Sequence, residues 1–153
     1  MVSASFAHPG MPCPRPTTEN YQLEIVKANG LNPLLRLLQS PDRNVILTAV
    51  SCLVNLTVQP MNDSPIIEAG FLQPLVALLA FKDNEEMQLD AARALRNLAA
   101  NPGMNRRAVV DAGVVQSIKE LVLGVSVDIQ FEMTACIRSL SQSGTHSPFN
   151  RLL

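Results

Sequence analysis

No tryptophan occurs in this chain, and aromatic residues make up only 4% of its 153 residues. A core built on large rings is therefore excluded. The 47% hydrophobic content has to pack as leucine, valine, isoleucine and alanine, which suits closely packed helices better than a sandwich of sheets. Charge of one sign is also lacking: twelve basic residues face thirteen acidic ones. With no overall field to gather a polyanion, nucleic acid is not an expected partner. Histidine is limited to His8 and His146, and cysteine to Cys13, Cys52 and Cys136, without a CxxC or Cys/His cluster. No zinc site or disulfide framework follows from such spacing, and a reduced setting fits it. No apolar run approaches the roughly 20 residues of a membrane span. The first residues do not form a charged region followed by an apolar one. Residue 2 is Val2 rather than glycine, so N-myristoylation is not expected of the chain as written. Phosphate loops, nucleophile elbows, HExxH and paired-carboxylate motifs are missing too, so neither an enzyme nor a cofactor is expected.

What is present is a repeat. Ala28-Asn29-Gly30, Glu68-Ala69-Gly70 and Asp111-Ala112-Gly113 place their glycines 40 and then 43 residues apart. Downstream, residues 52–56, 94–98 and 136–140 read CLVNL, ALRNL and CIRSL, with both intervals 42. Two markers in register at that period fall in the armadillo/HEAT range. Each unit reads as a short helix ending at the glycine, taken as its left-handed stop. A second helix follows, with Asn32-Pro33 as an N-cap and first turn. After a loop comes a third, longest helix, near 43–58, 85–100 and 127–141. In the middle unit Ala91, Ala94, Leu95 and Leu98 form one apolar stripe. Three helices per unit favour armadillo over the two-helix HEAT unit. The expected fold is all-α: a right-handed α-solenoid of three armadillo repeats, near 19–60, 61–102 and 103–141. Residues 1–18, with Pro9, Pro12, Pro14 and Pro16, are expected to be disordered, and 142–153 to form a loose tail.

In such a solenoid the third helices line a concave groove, and positions 42 apart form ladders across it. These ladders are Asn55, Asn97 and Ser139; Val54, Arg96 and Arg138; Ser51, Arg93 and Ala135; and Thr48, Asp90 and Glu132. Asparagine is a poor helix former, so its recurrence inside helices calls for a reason. Its amide can clasp the N–H and C=O of an extended peptide, or it can brace neighbouring loops. One repeat advances about 10 Å, and an extended chain about 3.3–3.6 Å per residue, so each repeat spans roughly three ligand residues. Arg96 and Arg138 either pair with acidic ligand residues or make a solvated face. Cys52 and Cys136 share a column with Ala94 and read as small core residues.

At residues 20–31 (NYQLEIVKANGL), 62–72 (NDSPIIEAGFL) and 83–86 (DNEE) the chain closely resembles the fungal vacuolar protein 8 family, over about 19–141. The resemblance implies a non-enzymatic, lipid-anchored scaffold on the cytosolic face of the vacuole. Its partners would be a myosin adaptor for vacuole inheritance, a nuclear-envelope protein and an autophagy factor. It also implies groove asparagines, which Asn55 and Asn97 match. Family members have more repeats and an acylated Gly/Cys start that Met1-Val2-Ser3 does not supply, so the chain as written is expected in the cytoplasm. Ser139 stands where a third groove asparagine would be. Importin-like relatives place tryptophan where Ser51, Arg93 and Ala135 stand here, so nuclear-signal binding is not expected. Two functions remain open: a scaffold arm that binds extended partner segments, or a shorter structural unit without binding activity of its own.

Overall fold

The computed structural model describes residues 18–102, 104–121 and 124–142. The expected disordered N-terminal segment, apart from residue 18, and the expected tail, apart from residue 142, lie outside these. The described residues fold into three successive triplets of helices: α1 (Thr18–Lys27), α2 (Leu31–Leu37) and α3 (Arg43–Leu56); α4 (Asp63–Glu68), α5 (Leu72–Leu79) and α6 (Glu85–Ala100); α7 (Met104–Asp111), α8 (Val114–Leu121) and α9 (Val127–Ser141). A 3-10 turn, Pro60–Asn62, leads into α4.

Local chemistry sets the starts of the long helices. The Asp42 carboxylate accepts from the Asn44 N–H at 2.8 Å and caps α3. The Asn84 side chain accepts from the Met87 N–H at 3.0 Å, and Glu85 and Glu86 follow in the first turn of α6. A side-chain cap and acidic residues there satisfy free N–H groups and complement the helix dipole. At α2 the expected start moves: the helix begins at Leu31 with Gly30 as its N-cap, two residues ahead of the expected Asn32 cap and Pro33 start.

The glycine stop holds in two of the three places. Gly70 (φ 89) and Gly113 (φ 86) are left-handed. In the first unit the left-handed residue is Asn29 (φ 63), which tolerates that region better than most. Gly30 is glycine for another reason: a Cβ there would sit 2.8 Å from the Ile25 carbonyl oxygen. What the position demands is close approach of backbone rather than a positive φ.

The third helices stack in order, α3 against α6 and α6 against α9, with α5 beneath α6. The expected stripe of α6 (Ala91, Ala94, Leu95, Leu98) is buried, as are Val50, Leu53 and Leu56 of α3 and Met133 and Cys136 of α9. The core is aliphatic, as the composition requires, with one fully buried ring among the described residues, Phe71.

The C-terminal ends of the third helices are tied down by side chains from within the unit and from the start of the next. Gln22 donates to the Asn55 carbonyl at 2.6 Å, and Asn62 to the Leu56 carbonyl at 3.1 Å. Arg106 of α7 donates to the Ala99 and Ala100 carbonyls, both at 3.1 Å, and also to the Gln142 carbonyl. One guanidinium thereby closes the C-terminal ends of α6 and α9. Arg106→Ala is expected to cost about 1–3 kcal/mol, since hydrogen bonds to charged donors are lost and carbonyls are left open. Urea unfolding followed by circular dichroism measures this; an unchanged midpoint would contradict it.

Candidate partner-binding groove on the third helices

The structure joins four of the residues singled out above, Ser51, Arg93, Arg96 and Asn97, through two carboxylates from the Thr48/Asp90/Glu132 column. Ser51 of α3 donates to Asp90 of α6. Asp90 is paired with Arg93 at 3.4 Å. Arg93 reaches Glu132 of α9 at 3.5 Å, and Arg96 reaches the other Glu132 oxygen at 2.7 Å. Arg96 also donates to the Asn97 amide oxygen at 3.1 Å, and the Asn97 amide donates to the Thr57 hydroxyl at 3.1 Å. Thr57 in turn donates to the Val54 carbonyl at 2.7 Å. The result is one polar chain across three repeats.

Asp90 and Glu132 are each only 7% exposed. The two arginines are half-buried and reach water at one edge. The pattern was visible as a column of acids beside a column of bases, but the column alone does not say that they bond across repeats.

Asn97 is therefore a brace, yet not a spent one. An amide has two N–H donors and two acceptor lone pairs, and here one of each is used. The remaining pair matches the C=O and N–H of a passing main chain. The Asn55 side chain is exposed and makes no hydrogen bond among the described residues. Ser139 is half-buried and Arg138 exposed, and neither joins the network. Arg138 is in no ion pair among the described residues, whereas its counterpart Arg96 is held by Glu132.

Between α3 and α6 lies an open hollow of about 310 Å³. Its apolar wall is Val54, Val58, Pro60 and Ala100. Arg93, Arg96, Asn97, Asn101 and Thr57 complete it. Sequence reasoning did not single out Thr57 or Asn101, because neither repeats 42 residues away in kind.

The two described cysteines part company. Cys136 is buried with its thiol 3.9 Å from the Leu95 carbonyl; burial, opposed by the Arg96 charge, pushes it up to about 12. It is an inert core residue, as expected. Cys52 is exposed, which corrects the expectation. The column faces the preceding repeat, and α3 has no earlier third helix among the described residues. Cys13 lies outside the described residues.

Beneath the hollow, Asp63 of α4 is wholly buried and accepts a hydrogen bond from Asn101; its Oδ1 has no partner among the described residues. Burial, opposed by the Asn101 bond, raises its carboxyl from 3.8 to about 6. Because the folded value is the higher one, the unfolded chain gives up the proton first. The carboxyl therefore costs stability as pH rises from about 4 to about 6, and the full cost persists above that. From this group the fold is expected to be about 1 kcal/mol more stable at pH 5 than at pH 7. Asp63→Asn should remove that difference in thermal melts at the two pH values; a variant that keeps it would contradict the assignment.

Among the described residues no single helix is long and apolar enough to cross a membrane. The family model for the armadillo/beta-catenin-like repeat matches residues 18–58 and 60–100. Vacuolar protein 8 of Schizosaccharomyces pombe is 49% identical over 125 residues, 82% of this chain and 23% of that protein. Vacuolar protein 8 of Yarrowia lipolytica is 52% identical over 122 residues, 80% of this chain and 21% of that protein. The chain thus spans about a fifth of the length of these curated relatives. Among solved structures, an engineered protein matches with TM-score 0.77 at 33% identity, over 84% of this chain and 53% of that one. A designed armadillo repeat protein in complex with the peptide (KR)4 matches with TM-score 0.75 at 26% identity, over 80% of this chain and 51% of that one.

Proposed function

The chain belongs to the armadillo/beta-catenin-like repeat family, and from that premise we propose that it binds extended segments of partner proteins along α3, α6 and α9. The observation that carries this is the amide ladder beside an open hollow. The Asn55 side chain is exposed and unengaged among the described residues, and Asn97 keeps one donor and one acceptor in reserve. The family is one of binding scaffolds, not enzymes. The designed relative that holds a peptide supports the same mode of use.

The similarity to vacuolar protein 8 supports a finer proposal. The chain acts at the cytosolic face of the vacuole, and its partner segments come from a myosin adaptor, a nuclear-envelope protein or an autophagy factor. Arg138, exposed at the end of the arginine column, is the residue open to an acidic side chain of such a segment.

A pull-down of these three classes of partner with wild type and with an Asn55→Ala/Asn97→Ala variant tests the proposal. At least tenfold weaker recovery by the variant is expected, with both proteins folded by circular dichroism. Equal recovery would contradict the groove. A second reading, a structural unit without its own binding activity, is favoured by Phe131 and Ile137, which stand exposed on α9 where α6 half-buries Leu89 and buries Leu95. No recovery of any of the three classes would support it.

A further inference from the structure

The hollow between α3 and α6 carries one step more, which rests on the groove-binding reading. Its wall of Val54, Val58, Pro60 and Ala100 is apolar, and Val58 is 63% exposed. Met61, next to Pro60, is 71% exposed, and 43 residues on Met104 is 85% exposed. The two methionines occupy the same place in successive units, where third helix gives way to first. A single exposed apolar side chain would need no explanation, but Val58 in the wall itself, with the adaptable side chain of Met61 one residue beyond Pro60, gives the hollow an exposed apolar rim that suits a ligand of like character.

The charges bordering the hollow are already matched. Arg93 and Arg96 hold Glu132 at 3.5 and 2.7 Å, and Arg93 holds Asp90 at 3.4 Å. A lysine or arginine entering here meets no open carboxylate, because Asp90 and Glu132 are buried and paired. An aspartate or glutamate entering here competes with the buried Asp90 and Glu132 for the same two guanidiniums, and drawing Arg96 away would leave Glu132 with a single longer contact, which is unfavourable. An aliphatic side chain disturbs neither pair and covers apolar wall. The amides of Asn97 and Asn101 stand beside it for the main chain.

We propose that the hollow is an anchor subsite for an uncharged aliphatic side chain of an extended partner segment, and that Glu132 sets this specificity by holding Arg96 against acidic competitors.

The test is a random nine-residue peptide library displayed on phage and panned on the immobilised chain. Enriched peptides are then titrated by fluorescence anisotropy against wild type and variants. Peptides sensitive to Asn97→Ala are expected to share one aliphatic position, whose replacement by aspartate weakens binding at least tenfold. Val58→Asp, at an exposed position, should weaken the aliphatic peptide at least tenfold. Glu132→Gln should strengthen the aspartate peptide at least fivefold, and Arg96→Gln should not. Asn97-sensitive peptides that carry a charged residue at the anchor, or that ignore Val58→Asp, would overturn the anchor and leave the groove standing. Equal gains in Glu132→Gln and Arg96→Gln would overturn the role of Glu132. Failure to enrich any Asn97-sensitive peptide would overturn both.

Discussion

Phe71→Ala is expected to cost about 3–5 kcal/mol. Phe71 is wholly buried at the start of α5, and it is the only fully buried ring among the described residues. Its neighbours in the core are branched aliphatics and alanines fixed on helices that stack on both sides, so they have little freedom to close the cavity. Total stability of a domain of this size is about 5–15 kcal/mol, so one such loss is a large share. Urea denaturation measures it directly. A loss below about 1 kcal/mol would mean that the core collapses onto the gap, and the close packing described here would be wrong.

The polar chain across the third helices predicts an asymmetry. Removing both cations, Arg93→Ala/Arg96→Ala, leaves Asp90 and Glu132 buried without counter-charge, and about 3–5 kcal/mol of destabilisation is expected. Removing Glu132 instead leaves two guanidiniums that already reach water, and Glu132→Ala is expected to cost only about 1–2 kcal/mol. The order follows from exposure, since the side chains of Arg93 and Arg96 are 43% and 35% exposed and that of Glu132 is 10%. Equal losses in the two variants, or a reversed order, would show that the carboxylate is not the trapped partner.

The fold was largely legible because its period is written twice, once in the glycine phrases and once in the third helices. Burial of Ala91, Ala94, Leu95 and Leu98 followed directly from helical spacing. Two features escaped for physical reasons. Gly30 has the residue type of a left-handed stop, but Asn29 takes the positive φ, and only the backbone of α1 shows that a Cβ at 30 would collide. Cys52 shares a column with a buried alanine and a buried cysteine, but burial depends on a neighbour that α3 lacks among the described residues.

The site was legible as a set of columns and not as a set of bonds. Arg96 and Arg138 look equivalent 42 residues apart, yet one is clamped by Glu132 and the other is exposed without an ion pair among the described residues. Position in a repeat sets which side a residue faces. Identity in the next repeat sets whether it finds a partner, and at that point Thr48, Asp90 and Glu132 differ. Asp63 is a further case: its burial under Asn101 has no counterpart in the other units, so no periodic signal marks it.

Central to all of this is that the third-helix ladder, and not another face, holds a partner segment. A nitrogen-15 NMR titration of the chain with a peptide selected on it locates the contact residue by residue. Shifts are expected at Thr57, Val58, Asn97 and Asn101, extending to Ser139 as the peptide lengthens by one repeat. Shifts confined to the second helices, at Gln73 and Val115 for instance, with the third helices silent, would contradict the account.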